Sequence, residues 1–168
     1  MVTLIPMEEK HIQQCSEIDT NSLLKPLDDC SDILSDIVEN LKEFRGNAIY
    51  TYFQGFINHT GRYAYCIIAD EQIVGYITAL EMPDKSCGTN IYIDEIRIAD
   101  NEQKKGYGTN ALEQFFSLFN DEQMFSLITQ KNLPAYHMYQ KLSFNDTGNV
   151  QLMTRSVFSD LIRKMKKD

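Results

Sequence analysis

"IYIDEIRIADNEQKKGYGT", residues 91–109, decides how this chain is read. Its first half alternates Ile91 and Ile93 with Tyr92, Asp94, Ile96 and Ile98 around a pleat, which predicts a strand. Gly106 and Gly108 close the stretch. Beyond them Ala111, Leu112, Phe115, Phe116 and Phe119 recur on one side of a predicted helix. A strand therefore feeds a helix through a glycine loop. The first N–H groups of a helix have no internal partner, and the helix dipole adds partial positive charge there. Glycines let a ligand approach that backbone closely, which suits a phosphate. The plainer reading is that both glycines only punctuate a turn.

Upstream, "YAYCIIAD" and "QIVGYITALEM" are two β-rich runs split by Asp70-Glu71, the gap of an antiparallel hairpin. Residues 3–6 read as a short strand. A helix follows, with Ile12, Cys15, Ile18 and Leu23 on its apolar side. Pro26 ends that pattern. Ser31 or Asp32 is placed to cap a second helix carrying Ile33, Leu34, Ile37, Val38 and Leu41. The aromatics Tyr50, Tyr52, Phe53 and Phe56 extend that helix or line a pocket, with core packing favoured. Downstream, "MFSLITQ" reads as a short buried strand. "NLPAYHMYQKLSF" reads as a helix with Asn132 as its cap and Pro134 in its first turn. "NVQLMTRSVF" reads as a final strand and "SDLIRKMKKD" as a short basic helix. No repeat or low-complexity linker divides the chain, so residues 1–168 are expected to form one domain.

With 168 residues the chain can bury a full core. Its net charge of −8 makes it a poor general binder of nucleic acid. That charge suits a cationic small substrate, although solubility alone also accounts for it. The apolar runs are too short to span a bilayer, and the N-terminus lacks a secretory pattern. Cys15, Cys30, Cys66 and Cys87 are scattered. They fit neither a zinc site nor a disulfide framework, so no metal and a cytoplasmic location are expected.

Two segments together resemble the GNAT superfamily of acetyl-CoA-dependent N-acetyltransferases. Residues 91–109 are similar to its strand, Q-x-x-G-x-G loop and helix. Residues 132–144 are similar to its later N-x-x-A-x-x-x-Y helix. The resemblance implies an α/β (α+β) fold: a central mixed, mostly antiparallel sheet flanked by helices, with a splayed strand pair at the cofactor site. It implies acetyl-CoA as co-substrate. The backbone of Ile96, Arg97 and Ile98 would meet the pantetheine arm. The backbone of Gln103, Lys104, Lys105, Gly106, Tyr107, Gly108 and Thr109 would hold the pyrophosphate. Asn132 and Ala135, on the second motif, would stand along the cofactor arm, and Tyr139 near the thioester sulfur. Asp100 stands where the family often has Pro, and Gln103 where Arg is as frequent.

The chemistry implied is attack by an amine on a thioester in a ternary complex. A base must take the amine's proton, and an acid helps the thiolate leave. Tyr139 is the expected acid; its plainer role is a core aromatic. Asp94 and Glu95 are the candidate bases. Strict alternation would send them to opposite faces, so that only one meets the acceptor. The strand resembles that of the polyamine acetyltransferase branch, which favours Asp94. The plainer role for either is a solvated carboxylate. His137 reads as a surface or packing residue. The acceptor stays open among a small-molecule primary amine (polyamine or aminoglycoside-like), a protein N-terminus and a lysine. Neither a non-catalytic acyl-CoA-binding module nor a homodimer conflicts with the sequence.

"GYGTNA" also fits a dinucleotide fingerprint. That motif requires a βαβ unit and an acid about twenty residues on, and neither is present. A phosphate loop of the G-K-[ST] type is absent.

Overall fold

The computed structural model describes residues 1–24, 35–120 and 123–148. The expected cap at Ser31 or Asp32, the final strand and the basic terminal helix lie outside these residues. The described order is β1 (Val2–Pro6), α1 (Glu9–Leu24), α2 (Ser35–Gln54), β2 (Arg62–Ala69), β3 (Gln72–Asp84), β4 (Gly88–Ile98), α3 (Tyr107–Phe116), β5 (Met124–Ser126) and α4 (Pro134–Lys141). A short 3-10 turn, Asp100–Glu102, lies between β4 and α3. The five strands form one sheet in chain order, antiparallel except for the parallel pair β4–β5.

The β2–β3 hairpin turns on Asp70 and Glu71, both at positive φ (49° and 65°), the conformation a tight two-residue turn requires. Each face of the sheet then buries its own core. Ile67, Ile77, Ile91 and Ile93 meet Ala111, Leu112 and Phe115 of α3 and Tyr139 of α4. Cys66 and Tyr76 meet Ile12 and Cys15 of α1 and Ile49 and Phe53 of α2. Gln114 fastens α3 to the sheet, accepting from Leu4 N and donating to Val2 O (3.2 and 3.0 Å). Beneath α1, the thiols of Cys15 and Cys66 stand 3.8 Å apart. The Cys66 contact, then burial, pushes the Cys15 thiol up from its ordinary value.

Three expectations change. First, the aromatics do extend the helix, since α2 runs to Gln54 and takes in Tyr50, Tyr52 and Phe53, but its apolar side is not the expected one. It buries Ile49 and Phe53, while Leu41, expected on the apolar side, is 44% exposed. The half of the helix that meets the sheet is the aromatic half. Second, the run after α3 forms only a three-residue strand with Met124 and Ile128 exposed. Its pairing is confined to Asn90, Ile91 and Tyr92 of β4. Third, the alternation along β4 is broken. Ile93 pairs with Ala79 and Glu95 with Thr78, so Asp94 is an extra residue, a β-bulge. The bulge shifts the pleat by one, and Ile96 and Ile98 join Ile91 and Ile93 on the α3 side.

Candidate active site

The site begins where β4 loses a neighbour. Among the described residues β5 stops opposite Tyr92, so the edge of β4 through Ile96, Arg97 and Ile98 carries no strand on that side. On the other side β3 continues to Gly75, opposite Ile98. A Cβ on Gly75 would lie 2.1 Å from the Arg97 carbonyl oxygen, so only glycine lets the two strands close there.

The chain leaves β4 through the 3-10 turn. The Gln103 side chain reaches back to donate to the Ile98 carbonyl (3.0 Å) and to Asp100 Oδ1 (3.2 Å), folding the loop against the strand end. Lys104 lies at φ 63°. Lys105 is paired with Glu102 at 2.8 Å and stands 5.9 Å from the Tyr107 ring. Gly106 caps α3 at φ 82°, and no side chain caps the helix start. The first N–H groups of α3 therefore have no side-chain cap and no partner within the helix, the arrangement at which an anion can bind. Gly108 has a further reason to lack a side chain: its Cβ would meet the Met138 sulfur at 3.2 Å. α4 thus packs beside the start of α3.

The second motif is placed in part as expected. Pro134 opens α4, but Leu133, not Asn132, is its cap residue, and no side chain caps the helix. Asn132 lies one residue too early and is exposed. Ala135 packs against the α3-side core. Tyr139 is 9% exposed, its ring edge-on to Phe144 with centroids 5.8 Å apart. Burial, and then the Glu95 carboxylate, push its phenol up to about 12, so it keeps its proton at neutral pH. His137 is exposed, as expected.

The acidic pair differs from the expectation of opposite faces. Because of the bulge, Asp94 and Glu95 both turn to the α1–α2 side. Asp94 Oδ2 accepts from the Tyr52 hydroxyl of α2 at 2.6 Å. That hydroxyl also lies 2.7 Å from Thr78 Oγ1. Burial, and then the bond to Asp94, raise the Tyr52 phenol well above its ordinary value. Glu95 Oε1 accepts from Arg97 Nε and Nη2 (3.1 and 2.7 Å). Arg97 continues to Asp19 of α1 at 2.8 Å and to the Ser22 hydroxyl at 3.1 Å. Burial works against the guanidinium charge, and Glu95 more than restores it. Asp19 also takes Arg45 (3.3 Å) and the Tyr76 hydroxyl (3.1 Å). Ser22 donates to Asp100, which joins this network to the Gln103 loop. Sequence reading found neither Asp19 nor Ser22, and named Tyr52 only among aromatics for which core packing was favoured; all three lie far along the chain from their partners.

The sequence pattern of the acetyltransferase (GNAT) family matches residues 28–144. The chain belongs to the GNAT acetyltransferase family. Among curated proteins none matches its sequence. Solved structures resemble this GNAT chain in fold. One is described as a predicted acetyltransferase with acetyl-CoA from Clostridium acetobutylicum. It is 15% identical, the match covers 92% of this chain and 96% of that one, and the TM-score is 0.64. A ribosomal-protein-alanine N-acetyltransferase from Brucella melitensis biovar Abortus 2308 is 11% identical over 93% and 100% of the two chains (TM-score 0.63). An aminoglycoside acetyltransferase from an uncultured soil metagenomic sample is 14% identical over 94% and 99% (TM-score 0.65). No described helix of the GNAT chain is long and apolar enough to cross a membrane. No group of three metal-ligating side chains occurs among the described residues.

Proposed function

We propose that this GNAT protein is an N-acetyltransferase that moves the acetyl group of acetyl-CoA directly to a primary amine of a small molecule. The observation that carries the reading is the junction of two features: the edge of β4 left open past Tyr92, and the uncapped start of α3 beside it. An amide-bearing arm can extend the sheet along residues 96–98. A pyrophosphate can lie against the N–H groups of residues 103–109. Asn132 and Ala135, at the start of α4, stand along the arm in this reading.

Acetyl-CoA supplies an electrophilic thioester. Asp94, directly or through a water, takes the proton of the attacking amine. A backbone N–H of β4 meets the charge that develops on the thioester oxygen. Tyr139, still protonated at neutral pH, gives its proton to the departing sulfur. Glu95 is the lesser candidate for the base, because Arg97 holds it with two donors. Asp94, Glu95 and Asp19 share one face with Arg97 and Arg45, and because the arginines pair with Glu95 and Asp19, Asp94 carries the charge that suits a cationic acceptor. A polyamine or an aminoglycoside-like amine fits that chemistry better than an uncharged acceptor. The scattered cysteines suit a reducing, cytoplasmic setting, and one domain over residues 1–168 accounts for the whole reading.

The test is calorimetric titration with acetyl-CoA, followed by thiol release on a panel of polyamines, aminoglycosides and peptide N-termini. Binding with turnover on a small amine is the expected result. Binding without turnover on any amine makes the protein an acyl-CoA-binding module. No binding removes the reading.

A further inference from the structure

We propose that Tyr52 is a positioning residue that holds the bulged Asp94 in its working orientation. This rests on the reading of Asp94 as the base and adds a residue from a different element. The bulge turns Asp94 to the α1–α2 side but leaves it unpaired in the ladder, so the strand does not fix the rotamer of its carboxylate. Something else must fix it. Tyr52 reaches across from α2 and donates to Asp94 Oδ2 at 2.6 Å. Thr78, opposite Glu95 on β3, anchors the phenol from behind at 2.7 Å. With Tyr52 donating to Asp94, the Thr78 hydroxyl donates to Tyr52.

The phenol is itself held. Its ring lies 5.4 Å from the Phe53 ring and 4.9 Å from that of Phe56, and Phe53 is fully buried against Tyr76. Asp94 Oδ1 makes no hydrogen bond among the described residues and is left for the acceptor amine or its water. A carboxylate with one oxygen fixed and one open presents a single lone-pair direction to the proton it receives. That is the pre-organisation a general base needs.

Tyr52→Phe keeps the ring and removes one oxygen atom. Turnover should fall roughly tenfold, the factor a hydrogen bond to a charged group commonly carries, with acetyl-CoA affinity unchanged. The deciding measurement is a double-mutant cycle with Asp94→Asn. If Tyr52 works through Asp94, the Phe substitution costs almost nothing further once Asp94→Asn is in place. An equal loss in both backgrounds makes Tyr52 a packing residue and overturns the inference, as does full turnover in the single variant. If Tyr52→Phe does not fold, as judged by thermal unfolding, Thr78→Val replaces it. It removes the anchor behind the phenol and should cost about two- to threefold, again only with Asp94 present. Failure of the wild-type protein to acetylate any amine would instead remove the reading of the reaction, and this inference with it.

Discussion

The two sides of β4 solve different problems by different means. On the side proposed for the cofactor the groups available to a ligand belong to the backbone: an open strand edge, a loop and the start of α3. On the side proposed for the acceptor they are side chains: Asp94 held by Tyr52, and Glu95 held by Arg97, which is itself held by Asp19 and Ser22. A backbone grip tolerates many side chains and depends on where glycine stands. A side-chain network depends on each partner, and its partners come from three elements distant in sequence. Substitutions should therefore act sharply on one side and mildly on the other.

The largest effect is expected at Asp19, whose side chain is 3% exposed between Arg97, Arg45 and Tyr76. Asp19→Ala leaves Arg97, among the described residues, with Glu95 as its one remaining carboxylate and strips the buried Tyr76 hydroxyl of its acceptor. It should lower stability by about 3 kcal/mol, measured by denaturant unfolding. A change below about 0.5 kcal/mol would show that the network is not a unit.

Tyr139→Phe comes next. Turnover by thiol release should fall about a hundredfold while acetyl-CoA affinity holds, the pattern of a contact made in the transition state. The pH profile offers a second check. A phenol raised to about 12 stays protonated from neutral pH upward, so the acid role is lost only as the pH approaches that value. A loss of turnover between pH 8 and 10 on account of Tyr139, absent in the Phe variant, contradicts this.

Gly106→Asp is predicted to separate affinity from stability. Asp tolerates positive φ better than most residues and adds a favourable charge at a helix start. It also sets that charge against a pyrophosphate. Acetyl-CoA affinity should fall about tenfold, with thermal unfolding nearly unmoved. Unchanged affinity would place the phosphates elsewhere.

Lys105→Ala should matter least. Lys105 is exposed and already paired with Glu102. If the backbone supplies the grip, acetyl-CoA affinity drops no more than about threefold. A larger loss would mean that this side, too, works through its side chains.

The same contrast explains what the sequence could tell. The β4–loop–α3 unit was legible because its signals are local: strand alternation, then two glycines, then a helical stripe. Pro134 and Tyr139 were legible for a similar reason, since they fall on one short helix. The bond from Tyr52 to Asp94 spans 42 residues and the link from Arg97 to Ser22 spans 75, and no local pattern encodes either. The bulge did leave a trace. The isoleucines move from odd positions, 91 and 93, to even ones, 96 and 98, with the two acids at the crossing. A strand that alternates cannot make that change without an extra residue.

That extra residue has a consequence for how such a protein can diverge. Position 94 can be rewritten freely as far as the pleat is concerned, since its side chain is outside the isoleucine layer. It cannot be removed. Loss of one residue there would rotate positions 95–98 to the opposite face, driving Glu95 and Arg97 into the packing of α3 and α4 and ejecting Ile96 and Ile98. Chain length is thus rigidly specified at the one point where chemical identity is negotiable.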